Sequence, residues 1–135
     1  MRLTPIQYTD LNAKQKEIYN YQKVAAKLAD YGFNCIKLAD DWQGADFLAY
    51  HKDGGETLKV QLKSRLLIDR RYMNKDLFMT FPLDDAWYLV AHDDIVAFFD
   101  ATTDYLKSPS WVENGAYHTS KPNEATRTWL APSRL

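Results

Sequence analysis

"GADFLAYHKDGGETLKVQLKSR", residues 44–65, decides the fold. Two runs of alternating apolar and polar residues flank a cluster of Asp and Gly, the pattern of a β-hairpin. Asp53-Gly54 is a two-residue turn signal, because a type I′ turn needs positive φ at both central positions. That turn pairs Lys52 with Gly55 and, counting back, Asp46 with Gln61, leaving Lys63 diagonal to Asp46. A Gly54-Gly55 turn sets Asp46 opposite Lys63 instead. In both registers Asp46, Gln61 and Lys63 share one face, and Phe47, Ala49, Leu58, Val60 and Leu62 form an apolar face for the core. A three-residue loop is disfavoured, since it carries Asp46 among the apolar residues. The plain structural use of the polar face is a cross-strand Asp46–Lys63 ion pair, which contributes only about 0.2–1 kcal/mol.

Working outward, the hairpin strands fall near 46–51 and 56–67. Upstream, residues 11–31 carry Ile18, Tyr21, Val24, Ala25 and Leu28 at helical steps, with Asp10 as the cap and Gly32 as a left-handed stop. "FNCIKLA" is a short strand and "DDWQG" a polar turn. Downstream, "DLFMTF" is a strand ended by Pro82, and "AWYLVA" is another, rich in aromatic and branched residues. "HDDIVAFFDATTDYLK" fits a helical period, capped by Asp93 or Asp94. The stretch 108–121 reads as a loop with a possible short strand at Ala116–Thr119, and Pro122 opens a last helix through Leu130. The order α-β-β-β-β-β-α-α predicts an α+β or mixed α/β fold, a single mixed sheet flanked by helices.

A chain of 135 residues is read as one domain, long enough to bury roughly 65–70% of its unfolded surface. Apolar residues at 46% and charged residues at 26% are ordinary for a globular chain. The net charge of −1 supplies no global attraction to nucleic acid or an anionic membrane. Its distribution is uneven. Lys59, Lys63, Arg65, Arg70, Arg71 and Lys75 stand against Asp69 alone, whereas six aspartates and no Lys or Arg occupy 84–104. A positive side and a negative side follow. Cys35, the single cysteine, excludes an internal disulfide, fits a reducing compartment and is expected to be a buried structural thiol. With no apolar leader or membrane-length run, the chain reads as cytoplasmic, without membrane contact. His51, His92 and His118 lack zinc-ligand spacing and are expected at the surface or in loops. Trp42, Trp87, Trp111 and Trp129 are expected in the core or its fringes, and Tyr72 packed rather than stacking on a base.

Glu17 completes the pattern. It lies in line with Tyr21, Val24 and Leu28, on the helix face that should meet the sheet. A carboxylate there is costly unless paired, hydrated or bound to a cation. An inward helical Glu, then "GADF", a turn and "VQLKSR" resembles the PD-(D/E)XK nuclease superfamily, the restriction-endonuclease-like and Holliday-resolvase-like fold. The resemblance covers residues 11–67. Residue by residue, Glu17 matches the helix acid, Asp46 the motif Asp, Gln61 the Glu/Gln position and Lys63 the lysine. Ala45 stands where a proline is usual, and Gln61 makes this a QxK variant.

The resemblance implies a metal-dependent endonuclease acting on DNA, with RNA less favoured. Mg²⁺ or Mn²⁺ would be held by Asp46, the Gln61 side-chain carbonyl, the Leu62 backbone carbonyl and Glu17. Lys63 would orient or deprotonate the attacking water, or offset charge on phosphorus. Arg65, Arg70, Arg71 and Lys75 lead away from that site and would track phosphates. A homodimer would suit cutting of two strands. The alternative reading is a nucleic-acid-binding or protein-interaction module on the same fold with weakened catalysis, since Gln61 removes one negative charge.

Overall fold

The computed structural model describes residues 1–135. It is a mixed α+β structure with a five-stranded mixed sheet, a two-stranded sheet and four helices.

Helix α1 spans Ala13–Ala29. Its cap is Asn12 rather than Asp10, which lies in a preceding 3-10 turn. Asn12 accepts from the Gln15 N–H while the Gln15 side chain accepts from the Asn12 N–H, each at 2.9 Å. This reciprocal box satisfies two amide donors at the helix start. Val24 and Leu28 are buried, whereas Ile18 is exposed. Gly32, at φ +84°, turns the chain into the sheet as expected.

Strand β1 runs over Phe33–Trp42, further than "FNCIKLA", and pairs antiparallel with β2, Ala45–His51. The two-residue turn between them is Gln43-Gly44, with φ of 55° and 83°. Positive φ at both positions is the type I′ signature that the sequence suggested for Asp53-Gly54.

The hairpin from β2 to β3, Thr57–Leu62, has the register expected from Asp53-Gly54: Phe47 faces Val60 and Ala49 faces Leu58. Its loop differs. Gly54 donates to the His51 carbonyl at 2.9 Å and His51 donates to that of Glu56 at 2.8 Å. Of the two turn residues, only Gly54 has positive φ. A longer loop therefore delivers the same pairing.

The strand expected at 56–67 is split. After β3 the chain leaves the sheet at Lys63 and forms β4, Leu66–Asp69. That strand pairs with β7, Ala116–Thr119, in the second sheet, so the single-sheet expectation is corrected. The chain returns as β5, Leu77–Leu83, parallel to β3, and turns back as β6, Ala86–Ala91. Pro82 lies inside β5 rather than ending it. Helix α2 spans His92–Thr102; Asp93 and Asp94 occupy its first turn without capping it. The region read as a loop holds α3, Pro109–Asn114, capped by Ser108 and closed by left-handed Gly115. Asn123 caps α4, Glu124–Leu130.

The main sheet, ordered β1-β2-β3-β5-β6, separates two cores. Phe47, Ala49, Leu58 and Val60 pack against Val24 and Leu28 of α1. Met79, Phe81, Leu66, Ile68, Ile95, Phe99 and Leu130 fill the other side, beneath α2, α4 and the small sheet. Each of these side chains other than Ala49 contributes roughly 1.5–3 kcal/mol on burial. Cys35 is a half-buried fringe of the first core, and burial pushes its thiol pKa up.

Candidate functional site

Between the pairs Lys37–Phe47 and Trp42–Ala45, β1 contains Leu38, Ala39, Asp40 and Asp41, whereas β2 contains only Asp46. The surplus is a large β-bulge, which bends its strand and re-aims side chains. Under α1 the bulge opens a cavity of about 240 Å³, lined among others by Glu17, Asp40, Asp41, Asp46 and Leu62. Four carboxylates therefore border one recess, with Lys14 and Lys37 at its rim.

Asp46 is half-buried, and one of its carboxylate oxygens accepts the Leu62 N–H at 2.9 Å. Burial raises its pKa above the usual carboxylate range. The Leu62 N–H and the Lys63 charge oppose that shift, while Asp41 and Glu17 reinforce it. No Asp46–Lys63 ion pair forms within 4.0 Å.

Glu17 borders the cavity instead of packed sheet, which relieves the burial cost expected of it. Its side chain is 52% exposed and faces Lys14 at 3.5 Å and Lys37 at 3.9 Å. Lys63 donates its backbone N–H to Thr80 at 2.9 Å, and its ammonium lies 5.9 Å from the Tyr72 ring centroid. It lines an adjoining cleft shared with Glu17, Leu62 and Asn20. Asp46 and Lys63 thus flank Leu62, and Glu17 borders both recesses.

Gln61 stands apart. It pairs with Met79 in the parallel register and alternates to the face opposite Val60. It is only 6% exposed, and its Oε1 has no hydrogen-bond partner. It does not line the Asp46 cavity.

The basic segment divides. Arg65 lies 3.4 Å from His118 Nδ1, and Arg70 donates to the Trp111 carbonyl and covers its ring. Both are held against the β7–α3 side and line none of these recesses. Arg71 and Lys75 instead line a second cavity of about 330 Å³ with Asp41, Gln43, Gly44 and Tyr72. Asp41 belongs to both cavities, so the cationic recess adjoins the acidic one.

Behind the recess lies a buried network. Asp69 receives the Arg71 Nε and Nη2 groups, the latter at 2.7 Å. Burial pushes the Asp69 pKa up, but the hydrogen bonds and charge of Arg71 outweigh it, leaving a lowered value. His92 is fully buried rather than at the surface. Its Nε2 accepts the Asp69 N–H at 3.0 Å, which leaves Nδ1–H to donate to Asp93, also at 3.0 Å. Its ring meets Tyr72 edge-on at 5.6 Å.

Sequence reasoning read Asp40 and Asp41 chiefly as turn residues rather than cavity walls, and it missed His92 as an anchor and Trp42 as a surface residue. Trp42 is 51% exposed. The available signal was "LADDW", two adjacent acids where a regular strand would alternate.

No three Asp, Glu, His or Cys groups converge closely enough to form a metal cage. A hard ion that keeps most of its water needs only one or two carboxylates. Asp46 with Glu17 fits that lesser requirement. No helix is long and apolar enough to cross a membrane.

No protein-family model and no curated protein matches the chain. It is similar to a solved structure described as "The structure of a bacterial homing endonuclease: I-Ssp6803I", with 16% identity and a TM-score of 0.49, covering 90% of this chain and 94% of that one. At that level the likeness decides neither family nor activity.

Proposed function

We propose that this chain is a nuclease-like hydrolase of DNA phosphodiester bonds, with RNA the less favoured substrate, belonging to the QxK branch of the PD-(D/E)XK superfamily. The observation that carries the reading is the shared cavity of Asp46 and Glu17, with Lys63 on its flank and the Arg71–Lys75 recess joined to it through Asp41. Asp46 would hold Mg²⁺ or Mn²⁺, and Glu17 would reach it through water. The ion would supply charge neutralisation at the phosphate and a more acidic water. Lys63 places an ammonium beside the same strand end, where it can offset phosphate charge or orient the water. Arg71 and Lys75 would hold the adjoining phosphate. Arg65 and Arg70 face elsewhere and serve only a longer substrate. Leu62 lines the same cavity and gives its N–H to Asp46, so its carbonyl, on the same edge of the strand, would lie on the ion's side, whereas Gln61 does not line that cavity.

The test is cleavage of plasmid, linear, branched and single-stranded substrates with Mg²⁺ or Mn²⁺. Asp46→Ala and Lys63→Ala should each lower the rate at least about 100-fold. Activity that survives both substitutions overturns the reading.

A second reading is favoured by the absence of a third converging acid and by the two lysines facing Glu17. On it, the chain binds nucleic acid without cutting it. Calorimetry separates the two: a salt-sensitive DNA complex with no Mg²⁺ or Mn²⁺ binding selects the binding module.

A further inference from the structure

Trp42 belongs to neither hydrophobic core. It is the last residue of β1, 51% exposed, at the base of the Gln43-Gly44 turn. The turn is held tightly. A Cβ on Gly44 would sit 3.2 Å from Tyr72 and 3.3 Å from Leu77. The indole therefore stands beside a closely packed turn.

Cations continue from it in a row. The Lys59 ammonium lies 5.9 Å from the Trp42 ring centroid and donates to the Lys75 carbonyl. Lys75 shares the cationic recess with Arg71. Neither Lys59 nor Lys75 forms an ion pair. Arg71 gives Nε and Nη2 to Asp69, so the carboxylate orients the guanidinium while its Nη1 remains available; the side chain is 77% exposed. The row runs Trp42, Lys59, Lys75, Arg71 and ends where Asp41 divides the recess from the acidic cavity.

An exposed ring beside two cations without ion pairs and a third oriented by Asp69 suits a nucleic-acid strand whose bases are free to stack and whose phosphates track the charges. A duplex keeps its bases stacked on one another and offers chiefly phosphate to such a surface, leaving the indole unused. We propose that Trp42, Lys59, Lys75 and Arg71 form a platform for single-stranded DNA that leads toward the Asp46 cavity. The platform deepens the nuclease reading by naming the substrate form, and it rests on that reading only for the direction in which the strand is delivered.

The test measures binding without cleavage, in EDTA, with a labelled oligonucleotide of about ten nucleotides and a blunt duplex of the same sequence. Trp42→Ala should weaken single-strand binding about tenfold and leave duplex binding within about twofold, while Trp42→Phe restores most of the loss. Lys75→Ala should weaken both and flatten the salt dependence of each. Because Trp42 is half-exposed, the variants should fold, which circular dichroism checks. Three results overturn the proposal: no single-strand binding by the wild-type protein, equal single-strand binding by Trp42→Ala, or equal losses on both substrates. Trp42-dependent binding by a protein that cuts nothing sinks the nuclease reading and leaves the platform standing. Asp46-dependent cutting with no effect of Trp42→Ala does the reverse.

Discussion

At the scale of single residues, two polar side chains are held at a cost. Asp46 titrates above the ordinary range because burial outweighs the Leu62 N–H and Lys63. With the folded value above the unfolded 3.8, its stabilising contribution is present below that pH and lost as pH rises through the folded value. Ionised Asp46 therefore strains the free protein at neutral pH. Asp46→Asn, which keeps an acceptor for Leu62, should unfold at a higher temperature than wild type at pH 7 in EDTA, with the gap closing near pH 4. If Asp46 holds the ion, Mg²⁺ should stabilise wild type and leave the Asn variant unmoved. Gln61 poses the parallel case with a neutral group, a buried Oε1 without a partner. An unsatisfied buried acceptor costs about 1–3 kcal/mol, and an apolar replacement of similar shape removes that cost. Gln61→Met should accordingly raise stability by about 1 kcal/mol in urea titrations; a lower midpoint would mean that the amide has a partner in solution.

At the scale of elements, the site is made by an irregularity. A regular β1–β2 ladder would close over Asp46; the bulge at Leu38–Asp41 opens the cavity, and the Gln43-Gly44 turn fixes its outer end. Gly44 is at φ 83° with Tyr72 and Leu77 against it. A left-handed non-glycine residue costs roughly 1–2 kcal/mol, and the tight contacts add to this. Gly44→Ala should lower stability by about 2 kcal/mol, whereas Gly54→Ala, with nothing within 4 Å, should lose only the backbone part. Chemical denaturation of the pair reads the difference. The same irregularity explains what the sequence could convey. The β2–β3 register was legible because alternation restricts the hairpin to pairings that bury Phe47, Ala49, Leu58 and Val60 together, and the Asp53-Gly54 signal selects the observed one of them. It also put Asp46, Glu17 and Lys63 within one neighbourhood. The bulge was not legible, since "LADDW" read as strand end and turn, and the cavity it opens is lined by Asp46 and not by Gln61. The split after Leu62 was hidden for another reason: "SRLLID" has strand composition, and only the distant Ala116–Thr119 decides which sheet it joins.

At the scale of the whole molecule, a net charge of −1 means that any affinity for nucleic acid rests on where the cations are held. Arg71 and Lys75 belong to the crossover between parallel β3 and β5, and the later part of the chain holds that crossover in place. β7 pairs with β4, Asp93 accepts the Asn74 N–H at 3.0 Å, and buried His92 accepts the Asp69 N–H. Burial lowers the His92 pKa, against the Asp93 hydrogen bond and the charges of Asp93 and Asp69. Its other neighbour is the edge-on Tyr72 ring. With the folded value below the unfolded 6.5, neutral His92 contributes stability above that pH, and the contribution is lost as pH falls through the folded value. Asp69, also lowered, loses its own contribution only at more acid pH, below its unfolded 3.8. The two windows are separable. His92→Gln, able to keep an acceptor for Asp69 and a donor to Asp93, should be about 1–2 kcal/mol less stable than wild type at pH 7, and the gap should narrow between pH 7 and pH 5, since Asp46 acts in the opposite sense equally in both proteins. Amide exchange at Asp69 and Asn74 should quicken in the variant ahead of global unfolding, because those N–H groups tie the crossover to α2. A variant as steep as wild type from pH 7 to 5 would place the titration elsewhere, and the cation row would then not depend on the buried imidazole.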